Sequence, residues 1–331
     1  YKRQLEDSAL DGISHCLGLP LADVPAAMGE ERFNELELRG AHGVIMETLQ
    51  GQSRVLVTQC GTLGDPGTEG LAWLHQLDGP AQESLLAALG NAGTARVERW
   101  CWRGTRTTTI AKMASMSQLT GLDNSELLPP YFPYFRGEDL LFGAAVDFVH
   151  PQAAILEHNW CVAHVPENRR PPLDLRADPI TGSGSVALIA RRISDAVDSR
   201  SGTTPAKRLE QLARLLEAEA ARDDQALAME YRAGKAIATA AQMNTAFSLL
   251  QGQTAQAESP WRDFLTRSVE EYQAALVHPW RPGDLVDRPD PQGDEQALTA
   301  LRGMLRGYVA GLDAWPAVRD RAADVVAALE R

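Results

Sequence analysis

Two rhythms of apolar residues divide the sequence. Up to about residue 180, short β-branched runs alternate with stretches of helical spacing; beyond it, helical spacing is nearly continuous. LEDSALDGISHCLGL has apolar positions at helical spacing, so residues 5–30 read as one or two short helices interrupted at Pro20. SRVLVTQC, residues 53–60, reads as a strand, and GTLGDPGTEG, residues 61–70, as a turn-rich loop. LAWLHQL and AQESLLAALG are helical, the second closing on Gly90. Residues 95–113 suggest one or two strands, 138–150 a helix and 153–166 a strand. NRRPPLDLRADPITGSG has no helical periodicity and reads as a linker.

After about Ser183 the segments are rich in Ala, Leu, Arg and Glu, broken only at Pro260 and in HPWRPGDLVDRPDPQG. RLEQLARLLEAEAARDDQ carries an apolar seam of Leu209, Leu212, Leu215 and Leu216, the pattern of a packed bundle helix or of a partner helix. Such a region could cover one side of the preceding portion or make a homodimer. The expected fold class is therefore α/β with a mixed sheet over residues 5–180, followed by an all-α helical region over 181–331. No internal repeat of fixed period is visible.

Composition narrows the classes. The chain has 331 residues, 44% of them hydrophobic, enough for a full core. A net charge of −12 disfavours nucleic acid as a partner through a broad basic face. No apolar run reaches the roughly 18–20 residues of a membrane span, and no segment with the form of a signal peptide opens the sequence. Cys16, Cys60, Cys101 and Cys161 are widely spaced, with no CxxC, and read as reduced thiols of a cytoplasmic protein. The first residue is Tyr; YKRQ is also the translation of TAT-AAG-AGA-CAG, the end of a sequencing-library adaptor. Residues 1–4 are thus expected to be an artefact at the head of a fragment.

The most unusual stretch is LPPYFPYFRGEDLLFG, residues 128–143. Pro129, Pro130 and Pro133 fix φ and disfavour helix before them. Tyr131, Phe132, Tyr134 and Phe135 supply rigid apolar area, and Gly137 permits a sharp turn. Glu138 and Asp139 then occupy the first turn of the following helix. There they read either as an ordinary acidic helix start with Arg136 as ion partner, or as a positioned general base. Asp123 and Asn124 read as capping or Asx-bonding residues that order this ramp.

GLDNSELLPPYFPYFRGEDLLFG resembles the acceptor-side segment of GT-A-fold nucleotide-sugar glycosyltransferases. In many inverting members an acidic pair of this kind opens a helix below the donor sugar, and one acid is the catalytic base. The resemblance implies Asp139 as base and Glu138 as acceptor-binding residue, or the reverse, with Tyr134, Arg136, Gly137 and Asn124 on the substrate. NWCVAHVPENRR is similar to the late strand of such enzymes, where a histidine often completes an Mg2+ or Mn2+ site; His164 is the match. VTQCGTLGDPGTEG resembles a Gly-Asp loop preceding the acceptor region, which gives Asp65 a donor-side role beside its plain reading as a turn. The resemblance covers roughly residues 40–170. It implies a bacterial, inverting enzyme moving sugar from a nucleotide-diphospho-sugar to a hydroxyl acceptor. The Asp-x-Asp and the nucleotide-binding half of the family are absent from this sequence and are expected upstream, so the fragment is expected to be inactive alone.

His158, Trp160 and His164 share strand parity while Cys161 faces away, so H-x2-C-x2-H does not make a zinc clamp on a regular strand. Arg99, Arg103 and Arg106 could meet a diphosphate or be surface charges. A non-enzymatic alternative remains beside the transferase: a helical interaction module on a small α/β platform.

Overall fold

The computed structural model describes residues 9–29, 37–38, 52–67, 70–77, 79–92, 95–112, 118–134, 137–180, 185–252, 259–277 and 294–329. Two short helices, α1 (Ala9–Ser14) and α2 (Val24–Met28), come first, followed by the mixed sheet. Its strands are β1 (Glu37–Leu38), β2 (Arg54–Gly64), β4 (Cys101–Arg103), β5 (Thr109–Ala111), β6 (Thr120–Leu122) and β7 (Ala153–His164). They run in the order β1-β5-β7-β2-β4, with β6 also paired to β2. The two long strands, β2 and β7, are central and parallel; β4, β5 and β6 pair antiparallel to them.

The centre of this sheet is covered on both sides, which is why RVLV and AAIL read as continuous apolar runs rather than alternating ones. On one face Val55, Ala154, Leu156 and Ile110 meet Cys16, Val24 and Met28. On the other, Leu56, Val57, Ala153 and Ile155 meet Phe142 and Val146 of helix α4 (Glu138–Val149). Helix α3 (Gly79–Ala92) and a 3-10 turn (Ala72–Gln76) lie between β2 and β4 in sequence. A second small sheet joins β3 (Arg96–Val97) to β8 (Leu173–Asp174), so part of the expected linker is a paired strand.

The strand expected at 53–60 runs on to Gly64, through residues read as loop. Gly61 is the reason for the misreading. A Cβ there would lie 2.5 Å from the Arg103 carbonyl, so this glycine marks two backbones passing closely inside the sheet and not a turn.

The helical region comprises α5 (Ser185–Asp195), α6 (Pro205–Ala220), α7 (Asp224–Gly252), α8 (Pro260–Val277) and α9 (Asp294–Leu329). The expected architecture, an α/β portion followed by helices, is present. The composition boundary near residue 180 is not a boundary in packing, however. The largest core cluster joins Phe132, Leu141, Ala145 and Phe148 to Ile189, Leu209, Leu212, Leu216, Leu301 and Leu305. A second joins Leu71, Leu74, Leu173 and Leu175 to Trp261, Phe264 and Leu265 of α8. Among the described residues no helix is long and apolar enough to cross a membrane.

Candidate functional site

The ramp before α4 is held by its carbonyls. Its prolines remove backbone donors, so an extended segment is left with acceptors to satisfy. Tyr308 donates its hydroxyl to the Pro130 carbonyl at 2.9 Å and Trp315 its indole N–H to Leu128 at 2.7 Å. Arg319 donates to Asn124, and the His150 ring meets the Leu127 carbonyl at 2.8 Å. Asp123 accepts from the Ser125 N–H (3.1 Å) and hydroxyl (2.7 Å) and pairs with Arg54 (3.1 Å), which also reaches Glu126 (2.8 Å). The Asx bonding expected of Asp123 is thus present, while Asn124 is tied through its backbone.

Gly137 sits at the head of α4 with φ 101°, a left-handed conformation that glycine adopts freely. A Cβ there would come within 3.4 Å of Val186 on α5. Glu138 and Asp139 follow in the first turn, both half-buried. Tyr131 stacks on Phe142, centroids 4.1 Å apart and planes within 6°. Burial pushes the Tyr131 phenol up to about 12; the charges of Asp139 and Glu138 add to the rise and a hydrogen bond with Thr120 opposes it. Tyr134 is exposed; it stands edge-on to Phe132 and its hydroxyl lies beside Gly307 of α9. Arg136 lies outside the described residues.

The other cluster lies at the C-terminal ends of the parallel pair β2 and β7, where open α/β sheets commonly receive ligands. The Asp65 N–H donates to the His164 carbonyl at 3.2 Å, and His164 Nδ1 contacts the Asp65 carbonyl in return. The carboxylate of Asp65 accepts from the Gly67 N–H at 3.0 Å, the turn expected of Gly-Asp-Pro-Gly, and pairs with both ends of the Arg170 fork. Those hydrogen bonds hold the Asp65 carboxyl below the usual carboxylate range. A cleft of about 250 Å³ opens here, lined by Asp65, Glu98, Arg99, Trp100, Val165, Pro166, Arg169 and Arg170. Neither residue pattern nor the resemblance gives Glu98, Trp100, Arg169 or Arg170 a role. Arg170 was hidden in a segment read as linker, and an exposed Trp100 has no signature in periodicity.

The structure therefore brings Asp65 and His164 together, and Glu138, Asp139 and Gly137 together. It does not bring the two groups to one cleft, for no residue of the ramp or of α4 lines the space at Asp65. Both α4 and β7 leave the turn at residues 150–152. A 12-residue helix reaches about 18 Å and a 12-residue strand about 40 Å, so His164 lies some 20 Å further along than the acids.

His164 keeps one feature of a metal ligand: Nδ1 on a backbone carbonyl leaves Nε2 as the free coordinating atom. Its neighbours do not complete a set. Asp65 is committed to Arg170, and among the described residues no group of three or more His, Cys, Asp or Glu could hold a metal ion. The described donors do not fit Mg2+ or Mn2+, which favour several oxygen ligands.

His158 is buried and stacks on Trp160 at 5.6 Å. The β2–β7 register shifts between Gln59 and Gly61, opposite Glu157 and Cys161, so simple strand parity fails across that step. Arg103 lies over Trp73 at 5.6 Å, away from the cleft, while Arg99 lines it. All four cysteines are free thiols. Compared with known protein families, curated proteins and solved structures, the chain matches none.

Proposed function

We propose that this chain carries the acceptor side of a GT-A-like, bacterial, inverting glycosyltransferase that uses a nucleotide-diphospho-sugar and acts in the cytoplasm. The observation behind this reading is the placement of Glu138 and Asp139. They head a helix buried against the sheet, in the segment that carries the Tyr131–Phe142 stack, at a glycine turn set against Val186 of α5.

In this reading an acceptor hydroxyl enters over the Tyr131 ring. Asp139 takes its proton as the oxygen attacks the anomeric carbon, and the bond from that carbon to the diphosphate breaks. Glu138 accepts a hydrogen bond from a neighbouring hydroxyl and fixes the approach. Tyr131 lines the approach with its ring, while its hydroxyl is hydrogen-bonded to Thr120. General-base assistance of this kind is worth about 10²–10⁴ in rate.

The test is turnover of UDP-, GDP- and dTDP-sugars by the full-length protein and by its Asp139→Asn variant. A loss of at least about 10²-fold, with folding intact, is expected. Equal turnover in the variant removes Asp139 from the chemistry. A protein folded yet inert with every donor favours the second reading, a helical interaction module. That reading rests on side chains of α9 binding the carbonyls of Asn124, Leu128 and Pro130 at the entry to the ramp.

A further inference from the structure

The cleft at the ends of β2 and β7 takes no part in the chemistry assigned to Glu138 and Asp139. It has the form of a built site. At its base the Asp65 N–H meets the His164 carbonyl and the His164 ring meets the Asp65 carbonyl, and Gly64, at φ 126°, lies so close to the His164 carbonyl that a Cβ would collide with it. One wall, Glu98 to Trp100, follows β3; the other, Val165 to Arg170, leads towards β8, and β3 and β8 are paired. Arg99 is anchored across the gap by its Nε–H to the Pro171 carbonyl at 2.8 Å. Behind both walls stands the core formed with Trp261, Phe264 and Leu265 of α8.

Its chemistry is mixed in an informative way. Three arginines face two carboxylates, a local excess of positive charge on a chain of net charge −12. Asp65 and Arg170 neutralise one another. Arg169 and Glu98 are 3.6 Å apart with side chains 87% and 63% exposed, a pair too solvated to hold together against a ligand. Between them Trp100 keeps 53% of its surface in water, unusual for so large an apolar ring, with Val165 exposed beside it. A volume of about 250 Å³ is matched to a single ring. One aromatic face, an arginine for an anion and a carboxylate to accept hydroxyl protons together match a hexose ring bearing an acid.

We propose that this cleft binds an anionic monosaccharide unit of the hexuronate class. The C–H face of the ring lies on Trp100, the carboxylate meets Arg169, and Glu98, released from Arg169, accepts from a ring hydroxyl. The site needs neither Asp139 nor turnover, so it stands or falls apart from the transferase reading.

The test is ligand-observed saturation-transfer NMR on the full chain with glucuronate and galacturonate, beside glucose, UMP and inorganic phosphate. Uronate binding is expected to exceed that of glucose. It should weaken at least about tenfold in Trp100→Ala and in Arg169→Glu, survive in Trp100→Phe and be unchanged in Asp139→Asn. Three results overturn the proposal: binding that persists in Trp100→Ala, glucose binding equal to glucuronate, or UMP or phosphate binding better than either uronate. If Trp100→Ala fails to fold, Trp100→Phe and Arg169→Glu decide the matter alone. Loss in the first or retention in the second counts against the proposal.

Discussion

The sheet-bearing and helical portions differ in how their apolar side chains are gathered, while cations reach into the backbone of both. In the first, two small clusters lie on opposite faces of the sheet, and Lys112 bonds the carbonyls of Pro151 and Ala153 at 2.7 and 3.1 Å and pairs with Asp147 at 2.9 Å. In the second, leucines from α6 and α9 interlock in one large cluster, Glu219 is buried between Arg192 and Arg222, and Arg267 bonds the carbonyls of Leu175 and Asp178, both at 2.9 Å. Yet the two portions share their cores. Phe148 packs in one cluster with Leu209 and Leu305, and Leu173 in another with Trp261. A change in composition here marks a change in secondary structure and not a break in the packed core.

The strongest way to break this comparison is to cut the shared core. Leu305→Ala, at a fully buried position, should cost about 2–5 kcal/mol. Because the cluster spans both portions, denaturant melts followed by near-ultraviolet and far-ultraviolet circular dichroism should shift together. Separate transitions, with the sheet portion unmoved, would show two independent units.

A second probe is acid. His75 of the 3-10 turn meets Ser268 of α8 at 3.1 Å and stacks on Phe264 at 5.1 Å. Burial lowers its pKa from the ordinary 6.5 to about 4. Between those values the unfolded chain binds the proton and the folded chain does not. The contribution is therefore complete above pH 6.5, declines as pH falls, and is gone below 4. Its size is about 3 kcal/mol. His75→Gln should flatten this part of a stability-against-pH curve; an unchanged slope would place the titration elsewhere.

The smallest expected effect comes from the tie between α9 and the ramp. Tyr308→Phe removes one donor from the Pro130 carbonyl and should cost about 1 kcal/mol, read from the shift in urea midpoint. A shift indistinguishable from zero would mean that water replaces the hydroxyl at no loss.

Much of the architecture could be read from residue patterns. RVLV and AAIL announce buried strands, Gly137 a turn, and Glu138–Asp139 a helix start, because each is a local consequence of residue type. Features made by distant pairing could not be read that way. GTLG looks like a loop until Arg103 is known to pass over Gly61. NRRPPLDL looks like a linker until Leu173 meets Val97 and Arg170 meets Asp65. The resemblance put His164 and the acid pair in one site; a long strand beside a short helix carries them apart. Arg136, the expected ion partner of the pair, lies outside the described residues.

The ramp has one further consequence. The carbonyls of Asn124, Leu128 and Pro130 are answered by a guanidinium, an indole and a phenol, all on α9. Indole and guanidinium can only donate, so this seam has a chemical polarity that cannot be inverted. In descendants of this sequence, a backbone change that turned the Asn124 or Leu128 carbonyl away would leave Arg319 or Trp315 without an acceptor. Drift on either side of the seam should therefore be answered by drift on the other.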